Sequence, residues 1–149
     1  PDTTEAMLDE IYTVNVKSLF LVTQEAIKRL RDGGRIISTT SAVVRVPFGT
    51  IAAYSMLKAP IDNLTKTLAV DLGPRNITVN AIAPGVIATD MAEFVNSPEG
   101  KGFVLSKQAL KRIGEASDIA DVAAFLAGPG SRWVTGHTID VSGGSALTF

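Results

Sequence analysis

Apolar positions recur at helical spacing along the first part of the chain. Val16, Leu19, Phe20, Thr23, Ile27 and Leu30 form one stripe and predict a helix over the first 32 residues. Asp2-Thr3-Thr4-Glu5 offers N-cap oxygens and an acid for its first turn, and Asp32-Gly33-Gly34 supplies its stop. The pattern then changes. Arg35-Ile36-Ile37-Ser38-Thr39-Thr40 is short and β-branched and predicts a buried strand. Val43 to Thr50, with Pro47 and Gly49, predicts a loop. Ala52 to Leu72 predicts a second long helix with Leu57, Ile61, Leu64 and Leu68 inward, stopped by Gly73-Pro74. Asn76 to Ala83 predicts a second strand, ended by Pro84-Gly85. Residues 86–112 contain Pro98, Gly100 and Gly102 and predict the longest irregular stretch, of a kind that often carries function. Ser117 is predicted to cap a helix through about Ala127, with Ile119, Val122, Ala123 and Leu126 inward. Gly136 to Val141 predicts a third, short strand before Ser142-Gly143-Gly144.

Long helices alternating with short apolar strands imply βαβ crossovers and a parallel sheet. The predicted class is α/β. Three strands are few for an open sheet with helices on both faces. The chain shows no internal repeat, low-complexity segment or linker, and its 149 residues fit one domain.

Charge narrows the partners. With 14 basic and 15 acidic groups the net charge is −1, which points to neither nucleic acid nor a membrane surface. No cysteine is present, so disulfides and thiolate metal sites are excluded, and a reducing, cytoplasmic setting is expected. His137 is the only histidine, which argues against a zinc site or a Ser-His-Asp triad, and no metal is expected. No apolar run approaches the roughly 18 residues of a membrane span. No signal-peptide pattern is seen. The sequence starts at Pro1, which fits either processing or a piece of a longer chain.

The candidate chemistry starts at Tyr54-Ser55-Met56-Leu57-Lys58. At i and i+4, Tyr54 and Lys58 share a helix face. Free tyrosine is a poor acid at neutral pH, and a neighbouring ammonium favours the phenolate. Such a tyrosine can donate a proton to a carbonyl oxygen as hydride arrives, or take one from an alcohol as hydride leaves. The pair alone fits a surface helix contact better than chemistry. Ser41 lies just past the first strand, where open parallel sheets bind ligands, and its hydroxyl can bond the same oxygen. Ser38, Thr39, Thr40 and Ser41 also fit the plain task of satisfying backbone groups at a strand end. Asn15 is a poor helix former in mid-helix. Either it interrupts the helix, freeing a carbonyl that holds a water near Lys58, or it faces solvent. The turn at Pro84-Gly85 and the hydroxyl of Thr89 can meet a ligand's polar edge, or serve only as a strand-to-loop turn.

Together Asn15, Ser41, Tyr54 and Lys58, with Asn80-Ala81-Ile82-Ala83-Pro84-Gly85 and Thr89, resemble the short-chain dehydrogenases/reductases. Within that family the chain looks most like the 3-oxoacyl-carrier-protein reductases and the sugar or steroid alcohol dehydrogenases. The V-N-V-K, D-L-G-P-R-N-I-T-V-N and terminal G-x-x-x-x-V-S-G-G segments fit as well, so the resemblance covers essentially the whole chain.

The resemblance implies a single partial Rossmann-like domain over residues 1–149, the C-terminal part of a doubly wound parallel sheet. It implies an NAD(P)-dependent oxidoreductase that reduces carbonyls and oxidises alcohols reversibly. Tyr54 would be the acid/base. Lys58 would make the tyrosine a stronger acid and hold the nicotinamide ribose. Ser41 would polarise the carbonyl, and Asn15 would support a relay water. Pro84, Gly85, Ile87 and Thr89 would line the nicotinamide end of an NAD or NADP cofactor. Residues 86–112 would hold a mobile substrate lid. Phe94, Phe103 and Leu105 would give it an apolar wall, or simply pack. The partners implied are a small carbonyl or alcohol substrate and further copies of the chain, as a homodimer or homotetramer joined through the first two long helices.

Two departures stand out. Ser142 occupies a position where the family often has aspartate. No T-G-x-x-x-G-x-G or N-N-A-G is present, and Gly128-Pro129-Gly130 follows a helix, not a strand. The half that binds adenine and pyrophosphate, about 90–100 residues with four parallel strands in a two-halves sheet, is therefore expected to lie outside these residues. The residue that selects NAD or NADP would lie there too. Two further readings follow. One is a truncated or degenerate, non-catalytic dimerising or binding module. The other is an enzyme that uses the same tyrosine for dehydration or epimerisation.

Overall fold

Thr4 starts the first helix. Its Oγ1 accepts the Met7 N–H at 3.2 Å, and α1 (Glu5–Tyr12) follows. The computed structural model, which describes residues 2–147, then departs from a plain helix. Thr13–Lys17 forms a π-helical turn, and α2 (Ser18–Ile27) resumes beyond it. The predicted long helix is thus a rod with a fault at Asn15, the kind of bulge that tends to sit at functional sites. Arg75 closes α2 from a distance. Its guanidinium donates to the Ile27 and Leu30 carbonyls and pairs with Asp32 at 2.9 Å. These are carbonyls that a helix end cannot satisfy by itself.

Three parallel strands follow in the order β1-β2-β3: β1 (Arg35–Thr39), β2 (Thr78–Pro84) and β3 (Thr138–Val141). Ile36 stands opposite Val79, and Ala83 opposite Asp140. Between β1 and β2 run α3 (Ala52–Lys58) and α4 (Pro60–Leu72). The break falls at Ala59 because Pro60 has no N–H to continue the ladder. Between β2 and β3 run α5 (Pro98–Ser106) and α6 (Ala116–Ala127).

The core lies between α4, α2 and the sheet. Ala69, Leu72, Ile77 and Val79 are buried together, with Ile27, Leu30, Ile36 and Leu68 packed against them. Full burial of each large aliphatic here is worth about 1.5–3 kcal/mol. Every residue of β2 from Thr78 to Ala83 is buried, so both faces of that strand are covered. α6 lies against all three strands and buries Leu126 completely. Asn80, 1% exposed, has its amide satisfied: Nδ2 donates to Val134 O at 2.8 Å and Oδ1 accepts His137 N–H at 3.2 Å. It staples β2 to the segment that leads into β3.

Several expectations change. The run 35–40 reads as a buried strand, but as one that shows an edge where the half expected beside it lies outside these residues; among the described residues β1 pairs only with β2, and Ser38 is its one buried residue. Phe20 belongs to the predicted inward stripe but is half exposed; Thr23, Ile27 and Leu30 carry the inner face. Ser117 does not cap α6. Glu115 does, in a reciprocal capping box with Asp118, whose carboxylate accepts the Glu115 N–H at 2.8 Å. Residues 86–112 are more ordered than expected. A 3-10 segment (Asp90–Asn96) and α5 enclose a small core of Ala92, Val95 and Val104. Among the described residues, no helix is long and apolar enough to cross a membrane.

Candidate active site

Ser41 stands where β1 ends. The Thr40 N–H donates to Ile82 O at 2.8 Å, extending the ladder by one residue, and the chain then turns. Ser41 Oγ accepts the Val43 N–H at 3.4 Å and heads a short 3-10 turn, Ala42–Val44. Ser41 is buried, and its hydroxyl proton meets no acceptor among the described residues.

Helix α3 is tied to this strand end. The Ser55 hydroxyl donates to Val43 O at 2.8 Å, and the Thr40 hydroxyl donates to Lys58 O at 3.1 Å. Lys58 Nζ donates back to Thr39 O at 3.4 Å. The same nitrogen lies 5.7 Å from the centroid of the Tyr54 ring, within the range of a cation–π contact. Burial pushes the Lys58 ammonium below its ordinary pKa, because water is stripped from the charge. Tyr54 is half-buried, and its hydroxyl has no partner among the described residues. At the polar strand end Thr39 and Thr40 anchor the helix, while the Ser41 hydroxyl proton is left uncommitted.

Asn15 sits in the π-helical turn, and that turn packs against α3. Its Nδ2 donates to Ile11 O at 3.0 Å, which pins the wide turn. Asn15 lines a groove with Leu19, Pro60, Ile61 and Leu64, between α2 and α4, and Ser41 is not among its lining residues.

The end of β2 forms the other wall. The Gly85 N–H donates to Val141 O at 3.1 Å. A Cβ on Gly85 would lie 2.7 Å from Ser142 Cα, so the close approach of β2 to the turn after β3 requires glycine here. That turn is held by Asp140, whose Oδ1 accepts the Ser142 N–H at 3.1 Å and the Ser142 hydroxyl at 2.5 Å. Beyond Gly85, Ile87 pairs with Gly114 in an isolated parallel bridge. The Ala88 N–H donates to Gly114 O at 2.8 Å, and the Gly114 N–H to Val86 O at 3.3 Å. The N–H groups of Ile87 and Thr89 are left without an acceptor among the described residues. Thr89 is exposed, and its hydroxyl donates to Ile87 O at 3.4 Å.

A shallow pocket opens where the two strand ends meet, lined by Ser41, Val46, Phe48, Pro84, Gly85 and Val104. This is the crevice that open parallel sheets use for ligands. Phe48 and Val46 were not singled out from the sequence. The available signal was a lone aromatic between Pro47 and Gly49, directly after a strand that ends in hydroxyls.

Comparison with known proteins follows this geometry. The family described as Enoyl-(Acyl carrier protein) reductase matches residues 1–146. A short-chain dehydrogenase/reductase of Arabidopsis thaliana is 39% identical over 141 residues, which is 94% of this chain and 55% of that protein. Two solved structures superpose with TM-scores of 0.92 each. One is a promiscuous reductase of lugdunomycin biosynthesis, 44% identical, matched over 98% of this chain and 57% of its own. The other is an angucycline C-6 ketoreductase with bound NADP, 36% identical, matched over 98% of this chain and 56% of its own. The chain spans little more than half the length of the curated relatives it matches.

Proposed function

The chain belongs to the short-chain dehydrogenase/reductase family, and from that premise we propose that it carries the catalytic part of an NAD(P)-dependent oxidoreductase acting reversibly on small carbonyls and alcohols. One observation carries the reading. The Lys58 ammonium stands over the Tyr54 ring, on a helix hydrogen-bonded to the strand end that holds Ser41. The names of similar proteins support it, since they include a reductase of keto groups and a ketoreductase that binds NADP.

The donor set at the end of β2 fits a nicotinamide carboxamide. The Ile87 and Thr89 N–H groups have no acceptor of their own among the described residues, and the Thr89 hydroxyl lies beside them. Pro84 and Gly85 line the neighbouring pocket. A bound nicotinamide dinucleotide would supply the hydride for reduction and accept it for oxidation.

The chain's own groups handle the proton. Tyr54 delivers its hydroxyl proton to the substrate oxygen during reduction and recovers one during oxidation. The Lys58 cation favours the negative charge left on the phenol and would hold the cofactor's ribose. Ser41 donates its uncommitted hydroxyl proton to the same substrate oxygen, favouring charge that grows there in the transition state. Asn15 keeps the π-helical turn open against α3 and would support the water that resupplies protons. Residues 86–112 would cover the substrate. Half-exposed Phe20, Val22 at 68% and Val70 at 77% exposure give the α2 and α4 surfaces an apolar character that suits pairing with a second copy, as a homodimer or homotetramer. A cytoplasmic setting belongs to the same proposal.

The test is NADPH or NADH oxidation by the full-length natural protein with a panel of aldehydes and ketones. Turnover that vanishes in Tyr54→Phe supports the reading. Normal turnover by that variant would remove Tyr54 from its role.

A further inference from the structure

Phe48 lies in the loop between β1 and α3, and Phe103 lies on α5. Their rings meet edge to face, with centroids 5.8 Å apart and planes at 77°. That is the arrangement aromatic pairs favour. Phe48 also lines the pocket beside Ser41, with Val46, Pro84 and Val104. Phe103 is not needed to fill the small core under α5, which consists of Ala92, Val95 and Val104. It remains 47% exposed. So a half-open ring on one element reaches across to a ring that walls the pocket on another.

We propose that Phe48 and Phe103 form an aromatic jaw on the substrate pocket, and that the substrate of this site is a carbonyl or alcohol carried on a flat, apolar ring system. This rests on the carbonyl chemistry proposed for Ser41 and Tyr54. A flat ring stacks on, or meets edge-on, the same π faces that now meet each other. A short aliphatic ketone gains little from those faces. Lys107 is the one charged group on that wall and is already engaged, so an anionic keto acid loses hydration against a lining that is otherwise mainly Val, Pro and Phe. The jaw therefore selects by shape and polarity, while Ser41 and Tyr54 would hold the reacting oxygen.

The test compares the full-length protein with Phe103→Ala, Phe103→Tyr and Phe48→Ala, using 2-tetralone, 2-pentanone and acetoacetate with NADPH and NADH. The wild type is expected to prefer 2-tetralone. Each alanine variant should lower kcat/KM for 2-tetralone by up to about tenfold, mainly through KM, and lower it far less for 2-pentanone. Phe103→Tyr keeps the ring and should keep the preference, and it serves as the reference if an alanine variant fails to fold. Equal loss on both ketones would reduce the pair to a simple lid contact and overturn the proposal. So would a wild-type preference for 2-pentanone or acetoacetate. If no carbonyl is reduced, the oxidoreductase reading fails by itself, and the jaw is judged by ligand-observed NMR. Saturation transfer to 2-tetralone in the wild type that is lost in Phe103→Ala supports it, and no transfer in the wild type overturns it.

Discussion

Lys58 stands one helical turn beyond Tyr54 on α3, with its ammonium 5.7 Å from the centre of the tyrosine ring. The same nitrogen reaches the Thr39 carbonyl, and the Lys58 carbonyl accepts from Thr40. The lysine is thus fastened to the end of β1 by both its side chain and its backbone. Its charge is held where water is scarce, and that sets the first prediction.

Folding lowers the pKa of Lys58. Between the folded value and the ordinary one near 10.5, the unfolded chain therefore binds more protons. Wild-type stability should rise with pH through that window, as the partly buried charge is shed, and the cost of the charge is fully present below it. Lys58→Met has no charge to shed. It should melt no lower than wild type at pH 7, lack the alkaline rise, and lose activity by about 100-fold or more. Thermal melts from pH 7 to 11 on both proteins check this. A melting temperature well below wild type at pH 7 would make the bond to Thr39 O the dominant role.

Tyr54→Phe removes a hydroxyl that has no partner among the described residues. Stability should stay within about 0.5 kcal/mol of wild type. Carbonyl reduction should fall by about 10²–10⁴-fold. Urea unfolding beside steady-state rates separates the two effects.

Asn15→Ala deletes the bond to Ile11 O that pins the π-helical turn. The lost bond costs about 0.5–1.5 kcal/mol, partly offset by the helix preference of alanine. Amide exchange over residues 11–17 should slow as the turn relaxes to an α-helix, and activity should fall. Unchanged exchange would mean that the packing of α3, not Asn15, holds the turn open.

Gly85→Ala places a Cβ 2.7 Å from Ser142 Cα and 2.9 Å from Ser142 O. Both are backbone atoms, so β2 and the turn after β3 must part. A loss of about 1–3 kcal/mol is expected, with NAD(P)H affinity falling alongside. Urea midpoints and fluorescence titration measure each.

Asp118→Asn tests the α6 cap. The hydrogen bond from Arg112 and the Glu115 N–H hold the Asp118 carboxyl well below its ordinary value. Folding thus favours its ionised form, a benefit present above the ordinary carboxylate range and lost as pH falls through the depressed folded value. The wild type should melt above Asp118→Asn at pH 7. That gap should persist near pH 4 and close only in stronger acid.

The alternation of helix and strand was legible because helix spacing and β-branched runs differ plainly along the chain. The spacing of Tyr54, Lys58 and Ser41 marks them without coordinates, and the structure adds that Lys58 stands by the Tyr54 ring on a helix tied to the strand end before Ser41. The β-branched run of β1 reads alike in the middle of a sheet and at its edge; its edge position follows only from the absence of a glycine-rich half beside it. From its type Asn15 fits either a break in the helix or a solvent-facing residue. The π-helical form of the turn, pinned by the bond from Asn15 to Ile11 O, is not specified by residue type alone. Ser117 was a sound cap by type, but Glu115 and Asp118 together satisfy two donors where one serine satisfies one. Phe48 stayed hidden because its partner Phe103 is remote in sequence.

Gly114 and Val86 close a small ring of hydrogen bonds at the base of the segment that carries α5. The twenty-odd residues between them leave and rejoin the sheet at almost one point. A loop with its ends already joined adds length cheaply, since closure entropy grows only with the logarithm of its size. The segment therefore behaves as an exchangeable cassette. Residues between Thr89 and Ser106 can be rewritten or lengthened to suit another ligand, while Leu110 and Arg112, bonded to Gly143 and Asp118, and the strand ends that hold Ser41 and Gly85 stay where they are.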